Sequence, residues 1–156
     1  MSEKEPTPTC PLGHVVIAGF GPVGRASAEA CKREGIEVVI VDLNLTTIQK
    51  QMPMMHRVVH GDVRDPDVLE KAGLHGADAL ILAVPDENVA LEACKSARRM
   101  NPNIFIAART NFLSKGMLAS QAGADYVVVE EVVTADAMKD AVLQRLIGER
   151  RGRSES

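Results

Sequence analysis

The chain has 156 residues, 46% of them apolar and 25% charged, which suffices for one domain with a buried core. A net charge of −3 offers no electrostatic attraction to nucleic acid or to an anionic membrane, and 3% aromatic residues with no Trp leave little to stack on single-stranded bases. No apolar run approaches the roughly 20 residues that span a bilayer and no signal-peptide pattern opens the chain, so a soluble, cytoplasmic protein without direct membrane insertion is expected.

Residues 1–12 are polar and rich in Pro, Thr and Glu, and read as a disordered leader or linker. From residue 13 short apolar runs alternate with helical segments. His14–Ala18 is β-branched and short, as a strand buried in a parallel sheet should be. The chain then turns through Gly19-Phe20-Gly21-Pro22-Val23-Gly24 into a helix from Pro22 to about Glu34, closed by Gly35. A second strand, Glu37–Asp42, precedes a short helix near Leu45–Met52 that Pro53 ends. Arg57–His60 is a third strand, and Pro66 opens a third helix that stops by Gly73. Ala79–Val84 is the fourth strand, and Asp86 caps a long helix to about Met100. Ile104–Ala107, a helix near Phe112–Ala122, Tyr126–Val129 and a last helix over about Val132–Ile147 complete the folded part at 148. Residues 149–156 read as a charged, flexible tail. Strands alternating with helices describe an α/β fold of the Rossmann type, a doubly wound parallel sheet of six strands, and right-handed crossovers favour the order 3-2-1-4-5-6.

The first turn carries the chemistry. Gly19 permits a sharp bend, Gly21 lets backbone approach a pyrophosphate, and Gly24 lets the helix pack closely on the sheet. The helix's unpaired N–H groups and its positive end face the phosphates. Asp42, 18 residues beyond Gly24 at the tip of the second strand, can accept hydrogen bonds from ribose hydroxyls. Strand, glycines, helix and acid in this order describe a dinucleotide site. Arg25 falls in the first helical turn, where a cation is unfavourable unless a phosphate offsets it, and it reads equally as a solvated side chain. Asp62 follows the third strand, where adenine would lie, or is a turn residue beside Gly61. Arg109 lies at the carboxyl edge of the sheet, where such folds bind ligands, or forms a structural ion pair. Asp86, Glu87 and Asn88 are explained by capping.

The other chemistry-bearing residues point away from catalysis and metals. Cys10, Cys31 and Cys94 form no Cys-x-x-Cys pair, and the latter two fall in helices as small buried residues. His14, His56, His60 and His75 have no metal-ligand spacing. The group Met52, Met54 and Met55 reads as adaptable packing near the rim. Tyr126 has Glu130 four residues on, so there is no Tyr-x-x-x-Lys donor, and no Gly-x-Ser-x-Gly elbow occurs. Val23 stands where a methyltransferase would want a glycine. No catalytic residue is assigned. The last helix carries Val133, Ala137, Met138, Ala141, Val142, Leu146 and Ile147, an apolar stripe wider than one sheet face needs, which suits a partner subunit.

Taken together, several stretches resemble the N-terminal lobe of the RCK (TrkA-N, or KTN) regulatory domains of potassium channels and transporters. They are His14-Val-Val-Ile-Ala-Gly-Phe-Gly-Pro-Val-Gly-Arg25, Val39-Ile-Val-Asp42, Gly61-Asp62-Val-Arg-Asp-Pro-Asp-Val-Leu, Ala77-Asp78-Ala-Leu-Ile-Leu-Ala-Val, Ile106-Ala-Ala-Arg109 and Ala122-Gly-Ala-Asp125-Tyr-Val. The similarity spans about His14 to Met138 and is greatest to the soluble tails of Kef-type potassium/proton antiporters; Asn111–Gly116 departs from the family's acidic pattern there. The resemblance implies a regulatory domain that binds NAD(H) or AMP, ADP or ATP. It also implies a homodimer through the C-terminal helix and a membrane potassium transporter or channel as partner, in the same polypeptide or as a separate subunit. Carried over by position, the nucleotide contacts are Gly19, Phe20, Gly21, Pro22, Val23, Gly24 and Arg25, then Asp42 and Leu43, Asp62 and Val63, Ala83 and Arg109. The competing readings are a cofactor-binding domain of an NAD-dependent oxidoreductase and a dimerisation module with a vestigial site.

Overall fold

Val15, Val16, Ile17 and Ala18 are all buried, so the strand they form needs cover on both faces. It lies at the centre of a six-stranded sheet. The computed structural model describes residues 13–51 and 57–154, and the expectations for the leader, Cys10, the Met52–Met55 group, Pro53 and His56 fall outside them. In chain order the elements are β1 (His14–Ala18), α1 (Pro22–Arg33), β2 (Glu37–Asp42), α2 (Leu45–Gln51), β3 (Arg57–His60) and α3 (Pro66–Lys71). There follow β4 (Ala79–Leu82), α4 (Glu87–Met100), β5 (Phe105–Thr110), α5 (Leu113–Gln121), β6 (Tyr126–Val129) and α6 (Glu130–Ser154).

Every strand pairing is parallel and the order is β3-β2-β1-β4-β5-β6, the arrangement expected from the sequence. The chain winds one way from β1 to β3 and the other way from β4 to β6. The connections therefore part above the carboxyl ends of β1 and β4, which opens a crevice at that edge.

The two faces of the sheet are covered unequally. On one, Val16, Val39, Leu80, Leu82 and Ile106 pack under α3, α4 and α5 through Leu69, Ala90, Ala93, Cys94, Ala97 and Ala119. On the other, Val15, Ile17, Val38 and Ile40 pack with Phe20 and Ala28 beneath α1. That second layer stops at β4: Phe105 of β5 and Tyr126 and Val128 of β6 point to the same side and are exposed. No described helix of this chain covers them.

The boundaries of three elements differ from expectation. β4 ends at Leu82 rather than Val84, because its neighbour β1 turns away at Gly19 directly after the Ala18–Leu82 pair. β5 runs on to Thr110, since Ala108 and Thr110 keep the buried alternation while Arg109 turns to the open face. Helix α6 begins at Glu130 and continues through Ser154, so residues 149–154, expected in a flexible tail, are helical. The Arg145–Glu149 ion pair at 2.8 Å, spaced i,i+4, spans Gly148 and helps to offset the helix cost of glycine.

Candidate nucleotide-binding site

The backbone at the end of β1 turns within one residue, and Gly19 takes φ +91° to do it. A side chain there would also meet the Ala83 carbonyl group at 2.9 Å, so Gly19 answers both to the bend and to the end of β4 passing beside it. A Cβ at Gly24 would collide with the Gly19 carbonyl oxygen, which sets α1 directly on the turn. Gly21 is different. A Cβ at that position would meet nothing within 4 Å, and its φ of −79° suits any residue. No part of the protein needs a glycine there; the space belongs to the crevice.

That crevice is a cleft of about 670 Å³ crossing the carboxyl ends of β3, β2, β1, β4 and β5. Ten of the thirteen residues singled out from the sequence line it: Gly19, Phe20, Gly21, Pro22, Asp42, Leu43, Asp62, Val63, Ala83 and Arg109. Val23, Gly24 and Arg25 do not. Val23 is exposed on the helix, Gly24 is buried against the turn, and the Arg25 guanidinium sits 5.6 Å from the centre of the Phe20 ring. The lining also includes Asn44, Thr47, Arg64, Pro85 and Val89, which sequence reasoning did not select. Only Arg64 carried a visible signal, two residues beyond Asp62 in the Gly-Asp stretch.

Hydrogen bonding around the cleft separates what is committed from what remains. The Phe20 N–H donates to Asp42 Oδ2 at 3.0 Å, and the Asn44 N–H donates to Asp42 Oδ1 at 2.8 Å. Asp42 thus ties the glycine turn to the loop after β2, and each carboxylate oxygen keeps lone-pair capacity for a hydroxyl donor. Helices α3 and α4 are capped by Asp65 and Asp86, whereas no side chain caps α1. Its first-turn N–H groups have no helical partners, and the space beside Gly21 at this end of the helix is open.

The charges in the cleft are mostly paired. Arg64 grips Asp62 through two nitrogens at 2.6 and 3.1 Å, and this guanidinium holds the Asp62 carboxyl below the usual carboxylate range. Arg109 meets Glu130, the first residue of α6, at 2.5 Å. Cys31 and Cys94 sit in the two core layers rather than at the cleft, and burial pushes both thiols up. No cluster of His, Cys, Asp and Glu suited to a metal occurs among the described residues.

Residues 15–130 match the sequence model of the TrkA-N domain. This chain belongs to the TrkA-N family. Among curated proteins it is 31% identical over 133 residues to a putative K(+) efflux antiporter KefB of Alkalimonas amylolytica, covering 85% of this chain and 20% of that protein. It spans between a fifth and about two fifths of the length of this relative and two others, a cation/proton antiporter and a potassium channel protein. Among solved structures, the TrkA-N domain of the inner membrane protein YbaL from Escherichia coli superposes with a TM-score of 0.79 at 29% identity, over 83% of this chain and 96% of that one. The Kef CTD of Shewanella denitrificans, solved in an AMP-bound form, gives 0.77 at 26% identity over 89% and 88%. These TrkA-N relatives share the doubly wound sheet and its order. No described helix of this chain is long and apolar enough to cross a membrane.

Proposed function

We propose that this TrkA-N domain is a nucleotide-sensing regulatory module of a potassium transport system. It binds NAD(H) or an adenosine phosphate in the cleft above β1 and β4, and nucleotide occupancy biases a membrane transporter or channel at its cytoplasmic face. The observation that carries the reading is Gly21: its side is open where no packing demands a glycine, next to an uncapped helix N-terminus and across from Asp42. These residues fit a nucleotide, with phosphate on the α1 N–H groups, ribose on Asp42 and the base toward Asp62 and Val63. The AMP-bound form of the similar Kef CTD supports an adenosine phosphate as one such ligand.

The module works as a homodimer. Every described side chain of α6 from Glu131 to Arg153 is exposed, among them Met138, Val142, Leu143, Leu146 and Ile147. An isolated helix of that character needs a second surface. The uncovered half of the sheet, with Phe105, Tyr126 and Val128, offers one, and α6 of one copy lying across that face of another satisfies both. The module senses rather than transforms its ligand: among the described residues, the cleft lining holds no side chains arranged as nucleophile and base.

Calorimetric titration with NADH, NAD, AMP, ADP and ATP, with the mass followed by light scattering, tests the reading. Selective binding by a dimer supports it. Absence of binding at millimolar ligand overturns it, and hydride transfer to a carbonyl substrate would move the assignment to an oxidoreductase.

A further inference from the structure

Arg109 stands at a junction between two parts of the molecule. Its side chain lines the far end of the cleft, beyond β4, yet its guanidinium is held by Glu130 at 2.5 Å. Glu130 is the first residue of α6, on the sheet face that no described helix of this chain covers. The next residue, Glu131, fastens the same helical turn to the loop after β5: its N–H donates to Asn111 O at 3.2 Å, and its Oε1 accepts the Leu113 N–H at 2.8 Å. The Asn111 N–H in turn donates to Glu87 Oε1 at 2.6 Å, at the start of α4 beside the cleft. The root of α6 is therefore held by one ion pair whose cation also faces the ligand space, and by a short chain of bonds that reaches the cleft wall.

We infer that Arg109 is a shared cation, exchanged between Glu130 and the phosphates of a bound nucleotide, and that this exchange carries occupancy of the cleft to the orientation of α6. The inference rests on the nucleotide reading above and adds the route by which binding is reported. The competition is electrostatically even-handed. Arg109 is 21% exposed and Glu130 42%, so neither is locked in a dry interior, and a phosphate offers the guanidinium the same forked geometry as a carboxylate with more charge. Coupling follows from mutual exclusion: whatever free energy Glu130 contributes to holding Arg109 is subtracted from nucleotide binding, and the nucleotide weakens the α6 root by the same amount. Arg64, the other cation among the described cleft residues, is clasped by Asp62 in its own loop at 2.6 Å and reaches Glu92 of α4 only at 3.9 Å, so neither of these partners lies on α6.

The test uses the full 156-residue chain, titrated with AMP, ADP and NADH, with amide hydrogen exchange of the α6 root (residues 129–135) read with and without saturating ligand. Exchange at the root is expected to rise on binding in the wild type. Glu130→Gln, which removes the competing charge, is expected to tighten binding about two- to five-fold, the scale of a partly exposed ion pair, and to abolish the ligand-dependent rise. Unchanged affinity in Glu130→Gln, or an α6 root indifferent to bound nucleotide, overturns the exchange while leaving the nucleotide site intact. Failure of the wild type to bind any of the three removes the nucleotide reading and this inference together.

Discussion

The Asp42 carboxylate accepts the Phe20 N–H at 3.0 Å across 22 residues of sequence, joining the glycine turn after β1 to the end of β2. One side chain thus ties the two loops of the cleft together, and under the proposed function its remaining lone pairs are the ones a ribose would meet. Asp42→Ala leaves the Phe20 and Asn44 N–H groups without this acceptor, at a cost of about 1–3 kcal/mol in stability, and weakens every nucleotide that binds through its ribose. Asp42→Asn keeps a neutral acceptor and so retains more of the melting temperature. Its diagnostic effect is on charge: the wild type is expected to disfavour NADP, because the Asp42 carboxylate would face the 2′-phosphate, and Asn is expected to narrow the preference for NAD over NADP. Calorimetry with both dinucleotides checks this, and equal affinities in the wild type would refute the ribose assignment.

Gly21 and Gly24, at the two sides of the first turn of α1, make a paired experiment. Gly24→Ala drives a methyl group into the Gly19 carbonyl oxygen, so α1 must lift from the turn, costing about 1–3 kcal/mol. Gly21→Ala meets no atom within 4 Å and leaves stability within about 1 kcal/mol, the spread between N-cap glycine and alanine. The expected pattern is a lowered melting temperature without ligand for Gly24→Ala, and a near-normal one with impaired nucleotide binding for Gly21→Ala. Retained affinity in Gly21→Ala would mean that the open space at this turn is not where phosphate sits.

The sequence made the central strands legible because nothing competed with the signal: β1 and β2 are uninterrupted β-branched runs buried on both faces, and their bounds fall where expected. Gly19, Gly24 and Asp42 were legible because each answers a local geometric demand, whereas Gly21 answers none within the protein. Legibility fails where a tertiary partner decides. From the sequence β5 ends at Ala107 with Arg109 just past it, but the buried Ala108 and Thr110 on either side carry the strand through Arg109. Asn44, Thr47 and Pro85 reach the cleft only because separate loops converge there, a relation without a sequence period. The bare half of the sheet was invisible for the same reason, since Tyr126 and Val128 read as ordinary strand residues until the absence of a covering helix is seen.

At the opposite edge of the sheet, Asp125 accepts the Ile106 N–H at 2.8 Å and the Arg98 guanidinium at 2.7 Å. Arg98 also donates to the carbonyl oxygens of Pro102, Ile104 and Gly123. The backbone N–H of Ile106, and next the Arg98 guanidinium, hold the Asp125 carboxyl below its ordinary value. The folded state therefore binds this proton more weakly than the unfolded chain does. The resulting stability is complete above about pH 4, the ordinary carboxylate range, and is lost as pH falls through the lowered folded value. Asp125→Asn should melt below the wild type at pH 7, with the difference shrinking toward pH 3. A constant difference across that range would show that the carboxylate's charge is not what matters. Arg98→Ala removes the clasp altogether and is expected to cost more than Asp125→Asn at neutral pH, because three backbone carbonyls lose a donor as well.

Helix α6 sets the last expectation: its exposed apolar side chains and the uncovered Phe105, Tyr126 and Val128 face are the two surfaces that the proposed homodimer would bring together. If α6 of one copy lies on that face of another, a charge placed on either side must break the pair. Leu143→Asp with Ile147→Asp removes two apolar side chains from the contact, about 3–6 kcal/mol of burial, which raises the dimer dissociation constant by at least about a hundredfold. Val128→Asp, on the sheet, is expected to do the same from the other side. Light scattering at micromolar protein should show the mass halved for both variants. The cleft lies at the carboxyl edge and is lined within one chain, so the monomeric variants should still bind nucleotide. Halving by the α6 variant alone would place the helix against some other surface, whereas an unchanged mass in both would remove α6 from the interface.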